Sequence, residues 1–329
     1  MKPNRVGRCL LFLLCSIFLF SCKTSDDANA AAKQLATTSA DLVNYYGTLS
    51  KIAAADIALS ELQKNLLHVP FEKEDRTQMS TLSSELQKRA NVAQALQGLS
   101  TAFSNLTGST APTDVSNAAS KLGTELQTLN ALPQLKGAPI PLPTLIGDAA
   151  GAIVTLIRNH EERKAAPAMD KTVSALKELF TKEEKAYDSL NNSYDDVAKA
   201  LAQYCIDKNL LDETSVLGPA LQPFGLKAHI SSTTDTTLLK KAATTQLQET
   251  LNSLNDAHHS ASVAMLQGIT DMGTRIHQLA TEGHMPSRGT PITLTTVENW
   301  ITTASTYLSG SPTSTGSAAA STSSQPTKK

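Results

Sequence analysis

VSALKELFTKEEKAYDSLNNSYDDVAKALAQY, residues 173–204, sets apolar side chains seven apart at Val173, Phe180, Tyr187, Tyr194 and Leu201. A second series, Leu176, Leu190, Val197 and Tyr204, lies three residues beyond the first, and Glu183 occupies the slot of its missing member. An apolar repeat of this kind is the seam of a coiled-coil-like helix, since only the α-helical period returns those positions to one face.

Helical spacing continues on both sides. Upstream, a first helix is predicted from Ala28 to His68, with Leu35, Leu42, Tyr46, Leu49, Ile52, Leu59 and Leu66 inward and Pro70 as its stop. A second, from about Phe71 to Leu106, turns Met79, Leu82, Leu86, Ala93, Leu96, Leu99, Phe103 and Leu106 inward. The short link between these two requires an antiparallel hairpin. A third begins near Thr113, carries Val115, Leu122, Leu126 and Leu129, and ends at Pro133. The fourth follows Pro143 with Leu145, Ile146, Ala149, Ile153, Leu156 and Ile157, and Pro167 either kinks it or begins the fifth.

Beyond the seam, an irregular segment from Asn209 to about Thr234 leads into a sixth helix, about Asp235 to Glu282. Its inward series is Leu247, Leu251, Leu254, Ala261, Met265, Ile269, Met272, Ile276 and Leu279, with Gly283 placed to cap it. Thr295 and Glu298 have capping-box spacing ahead of Trp300, Ile301, Ala304 and Leu308, which predicts a short last helix. Residues 309–329 are Ser/Thr-rich, hold nothing apolar larger than alanine, and read as a disordered tail.

The predicted fold is therefore all-α, an elongated bundle of long antiparallel helices with coiled-coil-like packing, because a helix of about 40 residues is about 60 Å long. Aromatic residues make up 4% of the chain, with 1 Trp, so alanine and leucine must do most of the packing. That composition suits helix against helix better than a β-sandwich. Lys and Arg number 29 against 30 Asp and Glu, a balance that speaks against nucleic acid as a partner.

The start of the chain has a different character. Lys2, Arg5 and Arg8 precede an apolar run from Cys9 to Phe20, and Ser21 and Cys22 follow. This is the anatomy of an export signal, and the run is too short to span a bilayer, which takes about 20 residues. Leu19-Phe20-Ser21-Cys22 resembles the lipobox of bacterial lipoproteins. The resemblance, confined to the leader, implies cleavage before Cys22 and acylation of its sulfur, hence a membrane-lipid partner. An ordinary secretory leader cut after Ala28-Asn29-Ala30 is the weaker reading, because Asp26 and Asp27 would fall in the exit segment. Loss of the three basic leader residues leaves 26 cations against 30 anions, a net charge of minus 4.

The chain thus divides into a signal peptide (1–21), an anchor linker (22–27), one helical-bundle domain (28–308) and the tail (309–329). Cys9 and Cys15 leave with the leader and Cys22 is acylated, so Cys205 has no partner for a disulfide within one chain. Lys23 after the acylated position favours outer-membrane sorting, facing the periplasm or the cell surface, if the host is Gram-negative. The terminal Lys328 and Lys329 are similar in placement to the lysine by which the major enterobacterial outer-membrane lipoprotein joins peptidoglycan. Peptidoglycan or an envelope protein is accordingly a candidate partner.

Chemistry-bearing constellations are sparse. His258, His259, His277 and His284 gather late, but Asp256 and His259 are the one acid–histidine pair a turn apart, and His258 falls in an inward series as a hydrogen-bonded core residue. His160 to Lys164 reads as a solvated helix end. Cys205 reads as a small buried apolar group. Residues 137–157 carry one charge, Asp148, yet Pro139, Pro141 and Pro143 spoil a membrane helix, and a buried bundle helix is the better reading. Gly147 and Gly151 are spaced to admit a neighbouring helix. No catalytic, cofactor-binding or metal residue is assigned. The expected function is a non-enzymatic structural, adaptor or binding module of the envelope. Alternatives are a small-ligand or metal-binding envelope protein, and a protein similar to α-helical pore-forming toxins with 137–157 as its apolar head.

Overall fold

A computed structural model of the chain describes residues 5–105, 111–133, 139–159, 165–208, 210, 233–282 and 294–309. Among them are seven helices: α1 (Arg5–Leu66), α2 (Lys73–Ser104), α3 (Ala111–Thr128), α4 (Leu145–Asn159), α5 (Ala165–Asp207), α6 (Thr233–Glu282) and α7 (Thr295–Ser309). No strand occurs among the described residues, and the one sheet-like feature is an isolated bridge in which Ile140 N–H donates to the Leu132 carbonyl at 2.9 Å. The fold is all-helical, as the periodicity requires. The tail at 310–329, Leu106, Gly283, His284, residues 160–164 and nearly all of the irregular segment after Asp207 lie outside the described residues.

Helix ends differ from expectation for local reasons. The backbone of α1 is helical from Arg5, not Ala28, because neither proline nor glycine interrupts residues 9–27. Its other end comes at Leu66, before Pro70, because His68 adopts a left-handed conformation with φ of 54°. Val69 N–H then donates to the Lys64 carbonyl at 2.9 Å and His68 N–H to Asn65 at 3.2 Å, a Schellman closure with histidine in the place usually held by glycine. Pro167 stands at the beginning of the fifth helix, in the first turn of α5, where a missing N–H costs nothing. At α7 the Leu294 carbonyl accepts from Val297 and Glu298 at 2.8 and 3.0 Å, so Leu294, not Thr295, holds the cap position.

One connected core runs through the helices. Of the seam on α5, Val173, Leu176, Phe180, Tyr187, Leu190 and Tyr194 are buried, and so is Glu183, while Val197, Leu201 and Tyr204 are half-buried. Helices α1 and α2 meet through Ser50 and Ser83, whose hydroxyls are 3.0 Å apart, and through Glu61–Arg76 and Lys64–Asp75 ion pairs at 2.5 and 3.1 Å. Of the predicted inner face of α4, Ile146, Ala149, Ile153 and Leu156 are buried. Leu145 and Val154 are exposed, and no described helix is long and apolar enough to cross a membrane.

The expected helix approach at Gly147 and Gly151 is not made. A Cβ at either would meet nothing within 4 Å, because both project from the face opposite Ile146 and Ile153. The close contacts fall at two other glycines. A Cβ on Gly123 of α3 would stand 3.2 Å from Ile153, and one on Gly268 of α6 would stand 2.9 Å from the buried side chain of Leu294.

Candidate functional site

Among the described residues, a buried polar network lies where α1, α2 and α5 meet, and Glu183 is its centre. Arg89 of α2, 0% exposed like Glu183, fills that gap in the α5 seam with a guanidinium. Its Nε donates to Glu183 Oε2 at 2.7 Å and its Nη2 to Glu183 Oε1, the two-pronged geometry in which arginine binds carboxylate best. Arg89 also donates to the backbone carbonyls of Glu85 (2.9 Å) and Asn130 (3.2 Å). Burial opposes the Arg89 charge; hydrogen bonds and attraction from Glu183 outweigh it, so the guanidinium is held above its ordinary pKa. Tyr187, one turn along α5, donates to Glu183 Oε2 at 2.7 Å, and its hydroxyl stands 3.4 Å from that of Tyr46.

A second carboxylate, Glu85, extends the network toward the surface. It accepts from Lys88 at 2.6 Å, from the Asn130 backbone N–H at 3.2 Å and from the Asn130 side-chain amide at 3.2 Å. Burial pushes the Glu85 pKa up, but Lys88 and Asn130 together hold it below the usual value. The loop after α3 is thus fastened to α2 and, through Arg89, to α5.

An aromatic cluster packs beside this ion pair. Tyr45 is ringed by Trp300 at 5.0 Å between centroids, Phe180 at 5.5 Å, Tyr46 at 5.9 Å and Tyr187 at 6.1 Å. Burial raises the pKa of Tyr45, Tyr46 and Tyr187, so their hydroxyls remain protonated at any physiological pH. His258 of α6 is buried, with Nε2 at 3.3 Å from the Tyr45 hydroxyl and Nδ1 at 3.4 Å from Asp188 Oδ1. The second contact lacks hydrogen-bond alignment, and Nδ1 finds no hydrogen-bond partner among the described residues. Asp188, His258 and Tyr45 reproduce the order of a charge relay, but the hydroxyl at its end is sealed in the core with no route for a substrate.

Other residues singled out from the sequence are scattered. His277 pairs with Asp170 at 3.2 Å on an exposed groove between α5 and α6, and His259 is exposed. Cys205 is a free, half-buried thiol, and the Cys22 side chain lies outside the described residues. No three His, Cys, Asp or Glu side chains among the described residues converge as metal ligands. A groove of about 270 Å³ opens between the ends of α1 and α5, lined by Gln63, Leu66, Leu67, Leu201, Tyr204 and Asp207.

Unpaired buried acids went unnoticed in the sequence. Asp195 is buried with Oδ1 unpartnered, and burial, then Asp196, pushes its pKa up to about 7. Asp56 is buried with Oδ2 unpartnered, and burial raises its pKa against hydrogen bonds from Ser193 and Ser60. Since the folded Asp195 binds its proton more tightly than the unfolded chain does, its stabilising contribution is complete below about pH 4 and is lost as pH rises through about 7. Replacing Asp195 by asparagine should therefore stabilise the protein at pH 8 by about 1–2 kcal/mol, allowing for its solvent-reached edge. Denaturant unfolding at pH 5 and pH 8 checks this, with the variant losing less stability between the two than wild type does.

Comparison with protein-family models, curated proteins and solved structures gives no match for this chain.

Proposed function

We propose that the protein is a lipid-anchored lipoprotein of the cell envelope, acting as a non-enzymatic structural, adaptor or binding module. The observation that carries this reading is the leader: an apolar run of 12 residues, Cys9 to Phe20, followed at once by the thiol of Cys22 in Leu19-Phe20-Ser21-Cys22. Such a run is too short to anchor the chain by itself, so firm attachment requires the acylated cysteine.

An elongated bundle would suit a spacer. Contacts between α5 and α6 pair Asp170 with His277, Asp188 with His258, Asn191 with Asn255 and Gln203 with Thr244. From the first pair to the last, the α5 number rises by 33 and the α6 number falls by 33. We read this as an antiparallel register kept for about 50 Å, at 1.5 Å per residue, in an elongated bundle with coiled-coil-like packing. The polar groups best arranged for chemistry, Arg89 and Glu183, are consumed in holding helices together, which favours a structural or binding role over an enzymatic one.

A test by fractionation is direct. Cys22→Ser should abolish membrane retention and leave the chain in the soluble envelope fraction or uncleaved; equal retention of the variant as a mature, cleaved chain would refute the anchor. A second reading, small-ligand binding, is favoured by the groove at the ends of α1 and α5, whose volume approaches the lower range of ligand pockets. Native mass spectrometry distinguishes it by a stoichiometric bound species.

A further inference from the structure

The groove at the ends of α1 and α5 exists because of where these helices stop. They run parallel: Tyr45 of α1 packs on Phe180 and Tyr187 of α5, at 5.5 and 6.1 Å between ring centroids, and further along both the Tyr204 hydroxyl donates to the Leu66 carbonyl at 3.4 Å. The left-handed turn at His68 then carries the chain away toward α2, while α5 continues to Asp207. Beside the small side chain of Ala200 this leaves a groove of about 270 Å³, room for roughly nine water-sized groups at about 30 Å³ each.

Its wall is apolar along one side and negative at the other. Leu66, Leu67, Ala200 and Leu201 supply the apolar part, and Leu67 is 51% exposed, so an apolar body laid along the groove removes leucine surface from water. Asp207 is the one charged side chain lining it. Gln203 Nε2 donates to Asp207 Oδ1 at 2.9 Å and is itself held by Thr244 of α6, whose hydroxyl donates to Gln203 Oε1 at 3.2 Å. No described lysine or arginine forms an ion pair with Asp207. Lys64, beside the groove in the chain, is taken by Asp75 at 3.1 Å and lies over the Phe71 ring. Lys208 Nζ stands 5.9 Å from the centroid of the Tyr204 ring, so a ring that lines the groove already receives an ammonium. Both walls are also the last turns of helices, where carbonyls carry partial negative charge, and that effect is confined to about one turn. No residue of α2 or α6, which begin at this end of the bundle with the opposite polarity, lines the groove.

We propose that this groove binds a small amphiphilic organic cation, its apolar body along Leu66, Leu67 and Leu201 and its ammonium between the Asp207 carboxylate and the Tyr204 ring. This deepens the small-ligand reading of the groove, on which it rests, and does not depend on acylation of Cys22. Carboxylates and phosphates are rejected, because Asp207 and two helix C-termini face the same head group. Lys208 is the resident cation on the ring, and a ligand's ammonium competes with it.

Three probes that share a body and differ in the head separate the claims: phenethylammonium, phenethyl alcohol and phenylacetate. Each is titrated into the full chain in neutral detergent and followed by saturation-transfer nuclear magnetic resonance, with detergent alone subtracted. The cation should bind about tenfold more tightly than the alcohol, and the anion should show no saturable binding. Residues 67, 207 and 208 are exposed, so their variants keep the fold. Asp207→Asn should bring the cation down to the affinity of the alcohol, Lys208→Gln should raise the affinity of the cation alone, and Leu67→Gln should weaken cation and alcohol alike. Equal binding of cation and alcohol, or a preference for the cation that survives Asp207→Asn, would overturn the head-group assignment and leave the groove as a ligand site. Absence of saturable binding by all three probes would overturn both.

Discussion

Replacing Arg89 by methionine should cost about 3–5 kcal/mol of unfolding free energy, because it strands Glu183 in the core as an uncompensated charge. The methionine keeps much of the volume and loses all five donors, so the expected loss comes from electrostatics and not from a cavity. Tyr187 would remain as a donor to Glu183, which limits but does not repair the damage. Replacing both partners, Arg89→Met with Glu183→Leu, should restore most of the stability or exceed it, since two desolvated charges are then exchanged for apolar contact. Denaturant unfolding followed by circular dichroism checks the pair. If the single variant were as stable as wild type, the buried contact between α2 and α5 would not exist as described.

The second large effect belongs to Phe180. Its ring sits within 5.5 Å of Tyr45 and 5.4 Å of Tyr187, and 6.3 Å from Tyr46, at 0% exposure. Phe180→Ala should cost about 3–5 kcal/mol, the sum of lost burial and an unfilled cavity, while Phe180→Leu should cost less because most of the volume remains. The same unfolding measurement decides it. A loss under about 1 kcal/mol for the alanine variant would mean that the cluster rearranges freely and does not fix how α1 meets α5.

How far these residues could be read in advance follows from what each one signals. Phe180 and Tyr187 repeat at seven-residue intervals, and a period that long survives any uncertainty about neighbours. Glu183 was visible as an interruption of that series. Arg89 was equally visible, since Leu82, Arg89 and Leu96 are spaced seven apart on α2, but two interrupted seams do not say that their charged members meet. That pairing depends on how α2 and α5 are placed across about 90 residues of intervening chain, which periodicity does not encode.

Tyr45 illustrates the same limit. Tyr45 lies next to the expected inward residue Tyr46, and both are buried because α1 is packed by α2, α5, α6 and α7, leaving only a narrow outward stripe through Lys33, Thr37, Asn44 and Lys51. Asp195 was overlooked for that reason too: an acid beside Tyr194 reads as solvated until a neighbouring helix covers it. Gly147 and Gly151 erred in the other direction. Their spacing permits a close approach, but the apolar stripe of α4 turns Ile146 and Ile153 inward and the glycines out. His68 closes α1 in a conformation that sequence would assign to glycine, so with Pro70 as the visible stop the expected end is His68, two residues past the observed Leu66.

The lipid anchor remains the claim on which compartment and role depend, and mass spectrometry of the mature N-terminus tests it most directly. The account predicts a chain beginning at Cys22 whose first residue carries the mass of diacylglycerol, with or without a further acyl group. A chain beginning at Ala31, or an unmodified thiol at position 22, would contradict it.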